Sequence, residues 1–263
     1  MRADQQGSVA LVGAGPGDVE LLTIKALRHI EQAEVVVYDR LVGEEILALI
    51  PAHVERHDVG KRCGVKTLSQ PQISALLVAL ARQGKRVVRL KGGDPYVFGR
   101  GGEEALVLQQ AGIAFTVVPG ITAALGCAAS CGIPLTHRGL ARSVTLVTGH
   151  LQQEVDDSAQ LQFEGWRSLV SAGHTMVFYM GLEQADSICS GLLSVGAQPS
   201  LPVALIVAGT SARQRVVTCS LANLASQAAR LKGESPVLIM VGEVVRLREQ
   251  LAQVSREVWQ QVA

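Results

Sequence analysis

The segment KGGDPYVFGRGGEE, residues 91–104, places closely spaced glycines beside acids, bases and a proline. This composition is incompatible with the interior of a helix or a strand, so it predicts a loop. A short run rich in valine, residues 86–90, precedes the loop, and a helix is predicted over 103–111, closed by Gly112. The loop therefore follows the carboxyl end of a strand, where open α/β sheets bind their ligands.

The chain on either side of this loop alternates between predicted strands and helices. The strands are expected at 9–12, 35–38, 54–59, 86–90 and 114–118. The other helices are expected at 19–33, with Ile24 on its apolar face, at 44–50, at 69–82 and over the small residues 123–130. Ser69 and Gln72 have the spacing of a capping box. This alternation predicts a mainly parallel five-stranded sheet with right-handed crossovers.

The second half of the chain has a different pattern, which predicts a second α/β domain with a mixed sheet. Strands are expected at 144–148, 175–179, 202–207, 214–218 and 236–241, and helices at 183–195 and 221–231, with a polar connection at 152–162. We expect an N-terminal α/β domain over 8–140, a C-terminal α/β domain over 141–245 and an exposed helical tail over 246–263. The polar pattern of this tail starts at Glu243.

Composition excludes several classes of protein. The 263 residues carry a formal net charge of +1 and no block of lysine or arginine, which argues against nucleic-acid binding. No apolar run approaches the roughly 20 residues of a membrane span, and the N-terminus MRADQQGS lacks the pattern of a signal peptide. We therefore expect a cytoplasmic protein without a membrane partner.

Cysteines and histidines do not form a convincing metal site in the sequence. The five cysteines include no C-x-x-C pair and are expected to be reduced and mostly buried. Cys127 and Cys131 have the spacing that begins an iron–sulfur motif, but Pro134 occupies the position of the third cysteine. His53 and His57 are four residues apart in a region that does not favour a helix. We expect no metal.

The first glycine loop, GAGPGD at 13–18, could indicate a dinucleotide site, with Asp39 as the acid that binds ribose. Two residues argue against it, because Asp18 replaces the last glycine of that motif and Pro16 removes an N–H from the phosphate-binding loop. S-adenosylmethionine has no phosphate and would not need these donors. An NAD-dependent oxidoreductase remains an alternative from a different class, which explains the loop and Asp39 but not Asp18 or Pro16.

Longer motifs carry a family resemblance. VGAGPGDVELLTIKA, YDRLV, KGGDPYVFGRGGEE, VVPGITAA, GIPLTHR, TGH and YMG, in this order, closely resemble the tetrapyrrole methylase family, and within it the uroporphyrinogen-III C-methyltransferases. The similarity covers about residues 9–245. It implies a homodimer of two-domain α/β subunits that binds S-adenosylmethionine in the cleft between the domains and releases S-adenosylhomocysteine.

The resemblance also implies the reaction. Uroporphyrinogen III would be methylated at C2 and C7 to give precorrin-2 through precorrin-1, for sirohaem, cobalamin or haem d1 biosynthesis. Some similar proteins are fused to a dehydrogenase and ferrochelatase module, for which these 263 residues leave no room, so we expect the reaction to stop at precorrin-2. A methylase acting on a later corrin intermediate and a non-enzymatic tetrapyrrole carrier remain alternatives.

Site residues follow from the same motifs. Asp39 is the candidate proton acceptor and Lys61 the candidate proton donor, although Asp39 could also be a turn acid and Lys61 a lysine that only pairs with substrate. Arg100 and Arg138 would bind substrate carboxylates, and Glu103 a pyrrole N–H. The cofactor residues would be Pro16, Gly92, Gly93, Asp94, Val97, Thr122, Ala123, Met180 and Gly209. Val207 and Ala208 depart from the acidic and polar residues that similar proteins often carry before this last glycine.

Overall fold

The computed structural model of the chain describes residues 7–60, 68–149 and 158–251, with the side chains of 158–164 left out. The chain divides into two compact units, the first ending at Ala123 and the second beginning at Ala124. This division lies ahead of the domain boundary predicted after residue 140, because the helix of small residues and the segment that follows it belong to the second unit. Each unit contains one five-stranded sheet.

The sheet of the first unit, predicted to be mainly parallel, has five strands and is entirely parallel. Its strands are β1 (Ser8–Gly13), β2 (Val35–Tyr38), β3 (Glu55–Asp58), β4 (Arg86–Lys91) and β5 (Ala114–Val118). They lie in the order β3-β2-β4-β1-β5. The chain thus moves first towards one edge of the sheet and later towards the other, and the reversal leaves β1 beside β4. The loops that follow these two strands lie at the topological switch point, where parallel sheets open a crevice.

The helices of the first unit cover both faces of this sheet. They are α1 (Ile24–Glu31), α2 (Glu44–Ala48), α3 (Gln70–Arg82) and α4 (Gly101–Gln110). Ile30 of α1 and Ile46 of α2 pack on one face, whereas Leu77 of α3 and Leu108 of α4 pack on the other. The predicted capping box of α3 is present, with the Ser69 N–H donating to Oε1 of Gln72 at 2.8 Å.

The starts of two predicted helices in this unit were wrong. The helix expected over 19–33 is a short 3₁₀ turn, Val19–Leu21, followed by α1. The Thr23 hydroxyl separates them because it accepts from the N–H of Ala26 at 3.1 Å and caps the new helix. As a result Ile24 is 70% exposed rather than on the apolar face. Helix α4 also begins at Gly101, two residues before the predicted start at 103.

The sheet of the second unit is mixed, as predicted. After α5 (Ala123–Cys131), the elements are β6 (Val144–Thr148), α6 (Ser158–Ser171), β7 (Thr175–Tyr179), α7 (Ala185–Ser194), β8 (Pro202–Val207), β9 (Arg215–Ser220), α8 (Leu224–Arg230) and β10 (Val237–Val241). The strand order is β6-β7-β10-β8-β9, in which β6 and β7 are parallel and the other neighbours antiparallel.

Helix α6 was not predicted, and it begins inside the polar connection expected at 152–162; residues 152–157 lie outside the described part of the chain. Its anchor is Trp166, which is buried and packs edge-on against Phe178 of β7 with ring centroids 5.3 Å apart.

The start of the predicted C-terminal tail also differs from the structure. A 3₁₀ turn, Glu243–Arg246, buries Val244 and Val245, and residues 252–263 lie outside the description.

Among the described residues, no helix is long and apolar enough to cross a membrane.

Candidate functional site

Three loops of the first unit meet at the carboxyl ends of β1, β4 and β5. Gly15 in the first loop and Gly93 in the second exchange two backbone hydrogen bonds, from Gly15 N to Gly93 O at 3.1 Å and from Gly93 N to Gly15 O at 2.7 Å. Both glycines have positive φ, +75° and +67°. This backbone geometry strongly favours glycine, so the two loops depend on these residues for their connection.

The third loop is joined to the second by Asp94 and by close backbone contact. Oδ2 of Asp94 accepts from the N–H of Gly120 at 3.0 Å, and Oδ1 accepts from the N–H of Tyr96 at 2.8 Å. A Cβ on Gly120 would come 2.2 Å from the carbonyl oxygen of Gly93. The Asp94 carboxylate therefore links the loops rather than remaining available as an isolated charge.

Seven of the predicted cofactor residues lie on or beside these loops: Pro16, Gly92, Gly93, Asp94, Val97, Thr122 and Ala123. The loops at 13–18, 92–99 and 119–123 contain no lysine or arginine. Asp18 accepts from the N–H of Glu20 at 2.9 Å and caps the 3₁₀ turn. This set of residues offers close access to backbone and no cation for phosphate, which fits a ligand that carries positive rather than negative charge.

The carboxylate of Asp39, directly after β2, is held by two cations of β4. Nη2 of Arg89 donates to Oδ1 of Asp39 at 2.6 Å, and Nζ of Lys91 lies 3.6 Å from Oδ2. The same cations contact Glu104 of α4, whose Oε1 lies 3.1 Å from Nε of Arg89 and 3.2 Å from Nζ of Lys91. Two acids and two bases thus form one cluster, named here the β4 charge cluster: Asp39, Arg89, Lys91 and Glu104.

Burial differs sharply within the β4 charge cluster. The side chains of Arg89, Lys91 and Glu104 are 2%, 3% and 0% exposed, whereas that of Asp39 is 29% exposed. Gln70 of α3 adds a third donor to Oε1 of Glu104, at 2.9 Å. Oε2 of Glu104 is buried without a hydrogen-bond partner in the described part of the chain. Burial lowers the pKa of Lys91 and nearby Arg89 lowers it further, against the opposing effects of Asp39 and Glu104.

Arg89, Lys91 and Glu104 were not predicted from the sequence to form a functional group of residues. A signal was available, because Arg89 and Lys91 alternate with Leu90 on a strand between two other strands. Charges at such positions are buried and need partners of opposite sign. Lys61, the predicted proton donor, lies outside the described residues.

Arg100 and Glu103 were predicted to bind different groups of a substrate, but here they pair with each other. Nε and Nη2 of Arg100 donate to Oε1 and Oε2 of Glu103 at 2.8 and 2.7 Å. Both side chains are 56% exposed. The hydrogen bond raises the pKa of Arg100 and lowers that of Glu103. Arg100 occupies the N-cap position of α4 with φ +58°.

The remaining predicted residues belong to the second unit. Arg138 is exposed on the turn that follows α5, which is closed by a hydrogen bond from His137 N to Ala141 O at 2.9 Å. Met180 follows β7, is 46% exposed and has φ +53°. Gly209 is buried against α5, where a Cβ would come 2.3 Å from Sγ of Cys127.

The two departures from the family pattern, at 207 and 208, are buried beside Gly209. Val207 is 2% exposed and Ala208 is 8% exposed, and both belong to the core of the second unit. Apolar side chains are therefore suited to these positions. The backbone of Ala208 has φ +47°.

Among the described residues, the cysteines and histidines match no metal geometry. Cys127, Cys131 and Cys189 are buried free thiols and Cys219 is a half-buried one, while Cys63 lies outside the described residues. Burial raises the pKa of Cys127 to about 12. Within residues 7–60, 68–149 and 158–251, no three metal-binding side chains are grouped so that they could hold an ion.

Known proteins match the chain over almost its whole length. The family of tetrapyrrole (corrin/porphyrin) methylases matches residues 8–225. The siroheme synthase of Edwardsiella ictaluri is 54% identical over 246 residues, which are 94% of this chain and 51% of that protein. The chain therefore spans about half the length of the curated relatives it matches.

Solved structures match over more than nine tenths of both chains. Uroporphyrin-III-C-methyltransferase from Thermus thermophilus is 43% identical with a TM-score of 0.75, covering 94% of this chain and 96% of that one. A structure of the Thermus thermophilus enzyme in complex with S-adenyl homocysteine is 42% identical with a TM-score of 0.76, covering 92% of this chain and 100% of that one. By sequence and by fold, the chain belongs to the tetrapyrrole methylase family.

Proposed function

We propose that this chain transfers methyl groups from S-adenosylmethionine to C2 and C7 of uroporphyrinogen III, forming precorrin-2 through precorrin-1. The observation that carries the proposal is the identity of 42–43% to a uroporphyrin-III C-methyltransferase over more than nine tenths of both chains. The siroheme synthases are about twice as long, so only the methyl-transfer step is proposed. Its product would serve sirohaem, cobalamin or haem d1 synthesis in the cytoplasm, with the protein acting as a homodimer.

The glycine loops of the first unit fit S-adenosylmethionine better than a dinucleotide. Bound S-adenosylmethionine supplies an electrophilic methyl group on a cationic sulfonium. Gly92 and Gly93 allow close backbone contact, and the lack of lysine and arginine in the three loops avoids charge repulsion. The proposed binding residues are Pro16, Gly92, Gly93, Asp94, Val97, Thr122 and Ala123, with Met180 and Gly209 from the second unit.

Asp39 is the proposed proton acceptor. The pyrrole β-carbons of a porphyrinogen, which include C2 and C7, are already electron-rich, so the protein mainly needs to position the reacting carbon and to remove a proton from the substrate after methylation. Asp39 lies after β2, beside the strand that leads into the Gly92 loop, and its carboxylate is part-exposed. Lys61 is the proposed proton donor, by resemblance alone.

Arginines would bind the eight carboxylates of the substrate. Arg138 is exposed on the turn that follows α5, where an external carboxylate can reach it. Arg100 already donates two hydrogen bonds to Glu103. Substrate binding would therefore require this pair to separate, after which Arg100 binds a carboxylate and Glu103 accepts from a pyrrole N–H. Because both side chains are exposed, breaking this ion pair should cost little free energy.

The direct test is an anaerobic incubation of the protein with S-adenosylmethionine and uroporphyrinogen III, followed by mass and absorbance measurements. A gain of two methyl groups with a dipyrrocorphin-like spectrum would support the proposal. Unchanged substrate, with cofactor binding retained in equilibrium dialysis, would contradict it and indicate a methylase for another tetrapyrrole. Sedimentation equilibrium would test the homodimer separately.

A further inference from the structure

The β4 charge cluster is not explained by the stability of the fold. Removing charges from water is costly, and apolar side chains of similar size often stabilise a protein as much as a buried ion pair does. Oε2 of Glu104 has no hydrogen-bond partner among the described residues, which adds to the cost. Three charged side chains are nonetheless buried to 2%, 3% and 0% exposure at the end of a central strand.

The cluster converges on Asp39, the member with substantial exposure. Arg89 lies 2.6 Å from one carboxylate oxygen of Asp39, and Lys91 lies 3.6 Å from the other. Oε1 of the fully buried Glu104 contacts both cations and holds their side chains in place. Asp39 therefore has one defined orientation, set by side chains that do not themselves reach the surface.

The charges of the cluster balance only while Asp39 is ionised. With two cations and two carboxylates the sum is zero. Methyl transfer leaves the substituted ring cationic and the methylated carbon without a hydrogen, so the proton that Asp39 accepts comes from the adjacent meso CH2. That C–H bond breaks, its electron pair forms a C=C bond that neutralises the ring, and the cluster becomes +1. A net positive charge among buried side chains is electrostatically costly.

We propose that Arg89, Lys91 and Glu104 are positioning residues that orient the Asp39 carboxylate and set its proton affinity through their opposed charges. The inference rests on the proposed role of Asp39 in methyl transfer. Lys91 weakens the hold of Asp39 on a proton, and Glu104 strengthens it by offsetting the two cations. Arg100 and Glu103 at the start of α4 also interact with cluster members over a longer distance, and Gln70 faces Glu104 from α3.

Two charge-removing variants test the inference because their effects have opposite signs. In Lys91→Met, the lost cation should move the acid limb of the kcat–pH profile upward by about one pH unit. In Glu104→Gln, the lost anion should move it downward by a similar amount, since one fewer negative charge faces Asp39. Arg89→Lys keeps the positive charge but loses the planar guanidinium that donates to both Asp39 and Glu104. Turnover should therefore fall, while the acid limb of the kcat–pH profile stays near its wild-type position.

The double variant Lys91→Met/Glu104→Gln restores a neutral cluster. Its acid limb should return to within about half a unit of wild type, and it provides a second measurement if a single variant does not fold. Lys85→Met is the matched control, because Lys85 occupies the opposite end of the same segment in an exposed pair with Glu55, Nζ to Oε2 2.6 Å. We expect no shift of the limb in this control.

A measurement independent of activity separates the inference from the proposed function. In protein labelled with ¹³C at aspartate side-chain carboxyls, the Asp39 signal is assigned by its loss in Asp39→Asn. Opposite displacements of its titration midpoint in Lys91→Met and Glu104→Gln would support the inference even if uroporphyrinogen III proved not to be the substrate. Unchanged midpoints, or displacements of the same sign in both variants, would overturn it.

Discussion

At Asp39, partial exposure is combined with a short ion pair, so the side chain is held in place and still accessible. Asp39→Asn keeps the size of the side chain but removes the basic oxygen. We expect turnover to fall by about 10² to 10⁴-fold, the usual contribution of a general base. The dissociation constant for S-adenosylmethionine should change less than about twofold, because Asp39 is not on the glycine loops. Single-turnover kinetics and calorimetry measure the two effects.

The control for Asp39 is Asp186→Asn, the same substitution at an exposed position in the first turn of α7. It should leave turnover within about twofold of the starting value. Turnover unchanged in Asp39→Asn would remove its role as the base.

At Arg138, the exposure of the side chain favours binding of an external anion. Arg138→Ala should raise the KM for uroporphyrinogen III by about 10 to 100-fold, which corresponds to the loss of one charged hydrogen-bonding contact of about 1.5–3 kcal/mol. The KM for S-adenosylmethionine should stay within about twofold. Steady-state kinetics with each substrate varied in turn gives both values, and Arg142→Ala, exposed four residues along, is the matched control. Equal increases in both KM values would contradict the assignment.

Individual side chains show where sequence reasoning ended. Motifs identified Arg100 and Glu103, but the sequence did not reveal that they pair, because their i, i+3 contact depends on where α4 begins. It also gave no role to Arg89, whose partners Asp39 and Glu104 lie 50 and 15 residues away in the chain. Contacts between distant residues require the register of the sheet, which one sequence does not provide.

Among elements, strands were easier to predict than helices. The bounds of β2, β5, β6, β7 and β8 agree with those predicted, because each is a short apolar or β-branched run between turn residues. Helix α6 was missed because it begins in a polar stretch. The break before α1 was missed because the apolar pattern on both sides of Thr23 is a stronger helix signal than the tendency of threonine to cap a new helix.

The contact between the loops after β1, β4 and β5 makes a prediction about glycine. In Gly120→Ala, the new Cβ would meet the backbone oxygen of Gly93 at 2.2 Å, so one loop must shift. We expect a loss of about 1–3 kcal/mol in the free energy of unfolding, typical of overpacking, and at least about tenfold weaker binding of S-adenosylmethionine. Urea denaturation and calorimetry test the two parts.

Gly102→Ala is the control for that experiment, since a Cβ at this exposed position in α4 meets no atom within 4 Å. It should stabilise the protein by about 0.5 kcal/mol, because alanine restricts the unfolded chain and favours helix. Similar losses of stability in both variants would show that the close approach of Gly120 and Gly93 is not what requires glycine.

For the whole molecule, a net charge of +1 means that recognition of the proposed polyanionic substrate would depend on a few local arginines rather than on a general electrostatic field. The sheet of the first unit also contains two buried cations, Arg89 and Lys91, but Asp39 and Glu104 neutralise them. Their burial affects global stability instead, and it does so in a way that depends on pH.

The lowered pKa of Lys91 determines the sign of that dependence. At a pH between the pKa of Lys91 in the folded protein and the ordinary lysine pKa of 10.5, Lys91 carries its proton in the unfolded chain but not in the folded one. Stability therefore rises with pH in this window, by at most about 1.4 kcal/mol per pH unit from this one group. Lys91→Met lacks the effect, while every other titrating group is shared. Urea denaturation of both proteins, in steps up to pH 10.5, should show the wild type gaining stability relative to the variant. A difference that stays constant or falls with pH would mean that burial does not release the proton from Lys91.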